Sequence, residues 1–502
     1  MALSPPARGA LGRVALAAAL LAATCVLYQV RRSFIASFFE RGPGTAPPPP
    51  LAPPPASPTG AGGSGLPPAQ LVRVVLLDGV DRVTADRLPH YDQMCKLGLE
   101  LVVDVGFPTV SLPVQSVLWT GLTQQQSGIE FVQKRIDPPP DGSLPAREPS
   151  SAVVAESHPF ISQSFGFARA WPALDLDAAG MAKWAAGPFA FTAQAQVGSA
   201  TRLVFVHMLG PDDAAHAHGR DSRQFEAAAR AADDMLGHLV ATDAATHGPR
   251  SRWLVLADHG HRAAGGHGGE EPDIRLVRAC LSGAGVSAAT APRGHLVHMV
   301  DLSRALADSL GLPPHARSAG RPIYSALAAP EQPGVTLPRP GAARYLIAAL
   351  VVAAALAASW WVARRSWKLP WWWVVSYLSV VAIEGGPSLS TSMTYRALGQ
   401  SIYLGALPGL CLLAVLAGLA VRRGGALRVV LTELLVPAAA CVAAAVLCWR
   451  RPPLMPLWSA QLSMCLVLLF TGALVIALAC LVSLVPAGSG PPSPSETAGR
   501  AP

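Results

Sequence analysis

Apolar positions along this chain fall into two kinds of run. Short, β-branched runs at Leu71 to Leu77, Leu203 to Val206 and Trp253 to Ala257 have the length and composition of strands buried on both faces of a parallel sheet. Much longer runs at Val14 to Val30, Tyr345 to Ala363, Ile402 to Val421, Val429 to Cys448 and Trp458 to Val485 can each cross roughly 30 Å of hydrocarbon as a helix. The stretch Trp371 to Ile383 is apolar but short; it spans with flanking help, lies re-entrant or sits at the interface. Residues 41 to 68 and 329 to 340 are rich in Pro, Gly and Ala and carry no periodicity, as tethers do. The pattern therefore predicts an N-terminal transmembrane anchor over 1–33, a linker over 34–68 and an α/β domain over 69–328. A Pro-rich joint over 329–343, an all-α polytopic membrane domain of about five helices over 344–486 and a disordered tail over 487–502 complete the chain. A cleaved signal peptide is the competing reading of the first run.

Composition strengthens the membrane reading. Of 502 residues, 51% are apolar and only 14% charged, more apolar than a purely soluble enzyme needs. The net charge of +8 is spread over tethers and membrane turns, and no Lys/Arg stripe with interleaved aromatics appears, which disfavours nucleic acid as a partner. Basic residues flank the spans almost evenly, Arg31 and Arg32 against Arg422 and Arg423 for example, so charge does not orient them. Six of the eight cysteines lie in apolar spans; Cys95 and Cys280 lie in the α/β domain, where they could pair, although nothing in the sequence shows that they do.

Candidate chemistry gathers where the predicted strands end. Asp78 follows the first run, Asp212 comes shortly after the second and Asp258-His259 follows the third. Ligand sites in open α/β sheets collect at the carboxyl ends of strands, so these distant segments can share one crevice. Asp212 and His216 are four apart and share a face if a helical turn follows the strand. With Pro108-Thr109-Val110-Ser111-Leu112-Pro113 and His267, the set has the acids, imidazoles and hydroxyls of a two-metal phosphoryl-transfer site. Zinc accepts such nitrogen and oxygen ligands, and two ions roughly 3.5–4 Å apart can clamp the attacking and leaving oxygens of an in-line displacement.

In this order the four stretches resemble the alkaline phosphatase superfamily. The resemblance is to the branch holding the nucleotide pyrophosphatase/phosphodiesterases and the membrane-bound ethanolamine-phosphate transferases of glycosylphosphatidylinositol anchor synthesis. Val206-His207-Met208-Leu209-Gly210 before Asp212, and Asp258-His259-Gly260 with Gly266-His267-Gly268-Gly269-Glu270, look most like the transferases. The closing segment, Val300-Asp301-Leu302 to Gly320-Arg321-Pro322, is also similar, and the likeness covers roughly residues 70 to 325. It implies an alkaline-phosphatase-like sandwich with a mostly parallel central sheet. It further implies two divalent metal ions, zinc being the expected pair, one held by Asp212, His216 and His267 and the other by Asp78, Asp258 and His259. The nucleophile in this register is Ser111, two residues before Pro113, with Thr109 as the alternative. Where the phosphodiesterases carry an asparagine three residues after the nucleophile, this chain has Val114. Gln115, the Trp119 indole or the N-terminus of the following helix would then support the transition state. His207, Asp104 and Asp213 read as core, turn or cap residues, and His218, His261, His295 and His298 as surface groups or groups behind the ligands.

The function implied is a membrane-bound transferase moving phosphoethanolamine from a phospholipid donor, phosphatidylethanolamine being the expected one, to a glycan or glycolipid hydroxyl. The alternatives are a phosphodiesterase or phosphatase of the same superfamily and, from a different class, a membrane scaffold that retains the site without using it. The resemblance also places the catalytic domain outside the cytoplasm, in a periplasm or lumen.

Overall fold

In the computed structural model, residues 5–39, 65–287, 294–330, 339–364, 369–392, 396–450 and 455–485 are described. The predicted tail over 487–502 and most of the linker lie outside them. One eight-stranded sheet organises the α/β domain: β1 (Leu71–Leu77), β2 (Gly98–Asp104), β3 (Ser151–Ala155), β4 (Arg169–Trp171), β5 (Leu203–Met208), β6 (Ser251–Leu256), β7 (Leu276–Gly283) and β8 (His295–His298). Their order is β4-β3-β5-β1-β6-β7-β2-β8, and only β7 runs against its neighbours. The three predicted runs are thus the three adjacent central strands β5, β1 and β6, every residue of which is buried.

Helices cover both faces, which is why those strands read as unbroken apolar runs rather than alternating ones. The exception inside β1 is Arg73, fully buried but paired with Asp243 at 3.1 Å on the helix Arg223–His247 and capped by the carbonyls of Thr201 and Ser199. A buried charge survives only when matched in this way. On the opposite face Phe205 meets the Trp119 ring of the helix Ser111–Thr120 at 5.1 Å. Cys95, in the helix Pro89–Lys96, and Cys280 in β7 form a disulfide.

Among the described residues, five helices are long and apolar enough to cross a membrane: Arg8–Phe39, Ala342–Val362, Ile402–Arg422, Ala426–Cys448 and Pro456–Val482. The helix Trp371–Glu384 has 14 residues and a length of about 21 Å, short of a full span. Two boundaries move relative to the sequence reading. The first helix runs on to Phe39, through residues assigned to the linker, because Phe34, Ile35, Phe38 and Phe39 find apolar partners on the α/β domain. At the other end of the linker Leu66 is already in the core, and the Pro67 carbonyl accepts from Arg252 at 2.7 Å, so the domain begins before residue 69.

Candidate metal centre and nucleophile

Asp78 stands one residue beyond β1, Asp258 two beyond β6, and Asp212 at the start of the helix Gly210–His218 that follows β5. Three parallel neighbours thus deliver their carboxylates to one end of the sheet, as the sequence predicts for strand-end acids. Two clusters result. In one, Asp212, His216, His261 and His267 offer ligand atoms all within 4.8 Å of each other; in the other, Asp78, Asp258 and His259 do the same.

The imidazole tautomers favour metal binding. His267 Nδ1–H donates to the Thr109 carbonyl at 2.8 Å, and His259 Nδ1–H donates to the Gly260 carbonyl at 3.3 Å, which leaves each Nε2 with its lone pair turned inward. His267 Nε2 lies 3.1 Å from His216 Nε2, and His259 Nε2 lies 3.4 Å from Asp78 Oδ1. Burial keeps both His259 and His267 neutral: the first is pushed down to about 3, the second well below the usual imidazole range. Burial also raises the Asp78 carboxyl well above its ordinary value, with Asp258 and Asp212 adding to it, and lifts Asp258 to about 7. Asp212 is held low instead, because His216 and His261 together outweigh the cost of its burial. Asp258 Oδ2 is buried without a hydrogen-bond partner among the described residues. Crowded carboxylates, inward lone pairs and an orphaned carboxylate oxygen are what a pair of divalent cations would relieve, so the residues fit the implied metals.

The two hydroxyl candidates separate clearly. Ser111 opens the helix Ser111–Thr120; its Oγ is 3.1 Å from His259 Nε2 and 3.5 Å from Asp78 Oδ1, and it lines a cavity of about 220 Å³ with Asp212, His216 and His267. Thr109 is fully buried, donates to the Gly269 carbonyl at 2.8 Å and accepts from Gly268 N–H at 2.9 Å. Its hydroxyl is consumed in holding the loop that carries His267. Gln115, expected to face the phosphoryl group, is instead wholly buried behind Asp78, its amide 3.3 Å from His207 Nε2. Helical periodicity explains this correction: four residues after Ser111, position 115 returns to the core side of the first turn. Ser111 and Leu112 open this helix, and amides in a helix's first turn have no intrahelical acceptor, so they are available to an anion at that end.

His261, read from the sequence as a surface group or one behind the ligands, and His207, read as structural, both touch carboxylates of the two clusters. His261 is fully buried, with Nε2 2.7 Å from Asp212 Oδ1. His207 Nε2 stands 2.7 Å from Asp78 Oδ2, while Nδ1 meets the Ser162 hydroxyl at 2.7 Å. Burial pushes His207 down to about 3, so this contact is a neutral N–H donating to a carboxylate rather than an ion pair. The signal for His261 was present in the sequence as a third imidazole on the Asp258–His267 loop. Gly79 makes room for it: its φ is +72°, and a Cβ there would come within 2.8 Å of His261 Nε2 and 3.0 Å of the Asp212 Cα. Asp104, read as structural, is so, pairing through both oxygens with Arg275.

A family model for type I phosphodiesterase/nucleotide pyrophosphatase matches residues 145–269, which hold Asp212, His216, Asp258, His259 and His267. With the ligand set, the match marks an enzyme of that kind, a phosphotransferase or phosphodiesterase. Asp78 and Ser111 lie upstream of the matched segment. Among solved structures the chain is similar to BT1596, a 2-O GAG sulfatase (14% identity, 53% of this chain and 76% of that one, TM-score 0.40). It is also similar to murine ectonucleotide pyrophosphatase/phosphodiesterase 5 in complex with AMP (18%, 51% and 100%, 0.35). A third is the lipoteichoic acid synthase LtaP from Listeria monocytogenes (12%, 52% and 76%, 0.35). Comparison with curated protein sequences gives no match.

Proposed function

We propose that this protein transfers a phosphoethanolamine-type head group from a phospholipid donor to a glycan or glycolipid hydroxyl, with Ser111 as the covalent carrier. The observation that carries the reading is the Ser111 hydroxyl, set between one candidate metal cluster and the cavity lined by the other, in a chain whose described residues include five membrane-length helices. Two divalent cations, held by Asp212, His216 and His267 with His261 beside them and by Asp78, Asp258 and His259, would supply Lewis-acid charge and lower the pKa of the serine oxygen. Ser111 Oγ attacks the phosphorus; the bond from phosphorus to the glycerol oxygen breaks, and that oxygen takes a proton and leaves as diacylglycerol. The acceptor hydroxyl then attacks the phosphoserine diester, giving up its proton and returning Ser111 to its starting form. Throughout, Thr109 and the Gly268–Gly269 backbone hold His267 in place, and His207 holds Asp78. The disulfide between Cys95 and Cys280 supports a catalytic domain on the extracytoplasmic side, where such bonds persist.

Incubation of the purified protein with zinc and head-group-labelled phosphatidylethanolamine tests this. The expected result is diacylglycerol release and label on Ser111, discharged by a glycan acceptor. Absence of both adduct and diacylglycerol would overturn the reading. The phosphodiesterase match favours a second one, in which water replaces the glycan. Turnover of a soluble diester at an undiminished rate without any added acceptor would select it.

A further inference from the structure

The loop that carries His267 is poor in intrinsic rigidity. Gly265, Gly266 and Gly268 all have positive φ, at 92°, 85° and 106°, and Gly269 follows. Such a segment keeps one conformation only if it is tied from outside. Both sides of the Gly269 peptide are tied. Its carbonyl accepts from Thr109, and its N–H donates to Ser390 Oγ at 2.9 Å. Ser390 is wholly buried and its hydroxyl donates a hydrogen bond to Glu271 Oε2 at 3.1 Å, while Glu271 Oε1 accepts from Arg262 at 3.2 Å.

Ser390 does not belong to the α/β domain. It lies on the short turn Leu389–Ser392 between the apolar helices Trp371–Glu384 and Arg396–Arg422, more than a hundred residues beyond the loop it holds. A second contact independently points the same way. Leu389, also fully buried, clusters with Phe107 and Val110, which flank Thr109, with Phe131, and with Phe38 from the end of the N-terminal helix. Apolar segments from both ends of the chain thus meet at the turn bearing the nucleophile. A mere anchor needs no buried hydroxyl directed at a ligand-bearing loop.

We propose that Ser390 is a positioning residue for the phosphoryl-transfer centre, through which the membrane region holds the His267–Gly269 loop and, by way of Thr109, the Ser111 turn. The membrane helices are then part of the catalytic framework, beyond presenting a lipid. The inference rests on the reading of the site as a metal-dependent phosphoryl-transfer centre and is independent of the donor's identity.

The test uses the full-length protein in detergent micelles, with Ser390→Ala and Ser390→Thr beside the wild type. It measures zinc retention against a competing chelator, kcat and KM on bis(4-nitrophenyl) phosphate, and the thermal midpoint. Ser390→Ala is expected to lose about ten-fold in zinc affinity and in kcat, the usual loss for a group that orients a ligand, with KM and thermal midpoint unmoved. Ser390→Thr keeps the hydroxyl and is expected to restore both. Wild-type zinc retention and kcat in Ser390→Ala would overturn the proposal. So would an equal loss in Ser390→Thr, which would assign the effect to packing. Ser390→Cys, close in size but a weak hydrogen-bonder, takes the place of Ser390→Ala should that variant not fold, with the same outcomes. If the wild type turns over no diester, the functional reading fails while zinc retention still decides the role of Ser390.

Discussion

The two metal clusters stand side by side at the same end of the sheet but are built in opposite ways. Asp212, His216, His261 and His267 join one carboxylate to three imidazoles, and three of the four line the cavity. Asp78, Asp258 and His259 join two carboxylates to one imidazole, all without solvent exposure, behind Ser111. In the first, burial of the one carboxyl is outweighed by His216 and His261, so Asp212 stays ionised; in the second, burial drives both carboxyls towards the protonated form. The set lining the cavity would therefore need little from a cation to be stable, whereas the crowded carboxyls behind Ser111 would be relieved by one. A cation bound by Asp78, Asp258 and His259 would lie beside Ser111 Oγ and would favour its ionised form.

The largest expected effect isolates the nucleophile from both clusters. Ser111→Ala should lower turnover by at least about a thousand-fold while zinc content stays at the wild-type level, since no ligand is removed. Retained activity in Ser111→Ala together with loss in Thr109→Ala would move the nucleophile to Thr109. Next in size, Asp258→Asn should remove about one equivalent of zinc and about a hundred-fold of activity, whereas His216→Ala, with His261 and His267 still beside Asp212, should cost nearer ten-fold in metal affinity. Zinc analysis of both variants by mass spectrometry breaks the comparison if their losses are equal.

The asymmetry also has a pH signature. With Asp258 at about 7 in the metal-free protein, protons compete for that cluster below neutrality. Its metal affinity should fall by about ten-fold per pH unit for each proton displaced as pH drops through that value. His261, pushed down to about 3, and His267, well below the imidazole range, offer no proton to compete there. Zinc titrations at about pH 7.5 and about pH 5.5, roughly half a unit above and one and a half units below the Asp258 value, should show the buried cluster weakening first. Simultaneous release would refute the difference in build. The smallest expected effect is that of His207→Gln, which leaves a donor near Asp78 and should change zinc affinity by about three-fold or less; His207→Ala should cost about ten-fold.

Much of this site was legible because it is local to strand ends. Each of Asp78, Asp212 and Asp258 follows an apolar run whose periodicity alone places its end, and Asp212 with His216 shows helical spacing. The resemblance to the phosphodiesterases points to Ser111, two residues before Pro113, with Thr109 as the alternative; only the structure shows that Thr109 spends its hydroxyl on Gly268 and Gly269. His261 was passed over because adjacency on a loop says nothing about direction, and Gln115 was misplaced because the helix turns it into the core.

By itself the sequence determined the division into an α/β domain and apolar helices, and the strands whose ends carry the acids. Hydrophobic burial imposes those patterns residue by residue, so they can be read in one dimension. Tertiary structure alone decided that β7 runs antiparallel, that Cys95 meets Cys280, that the first apolar helix ends against Phe131, and that Ser390 reaches Gly269. Each of those contacts joins residues far apart in the chain, and a hydrogen bond or a packed ring depends on distance and direction in space, for which a linear order of residues carries no signal.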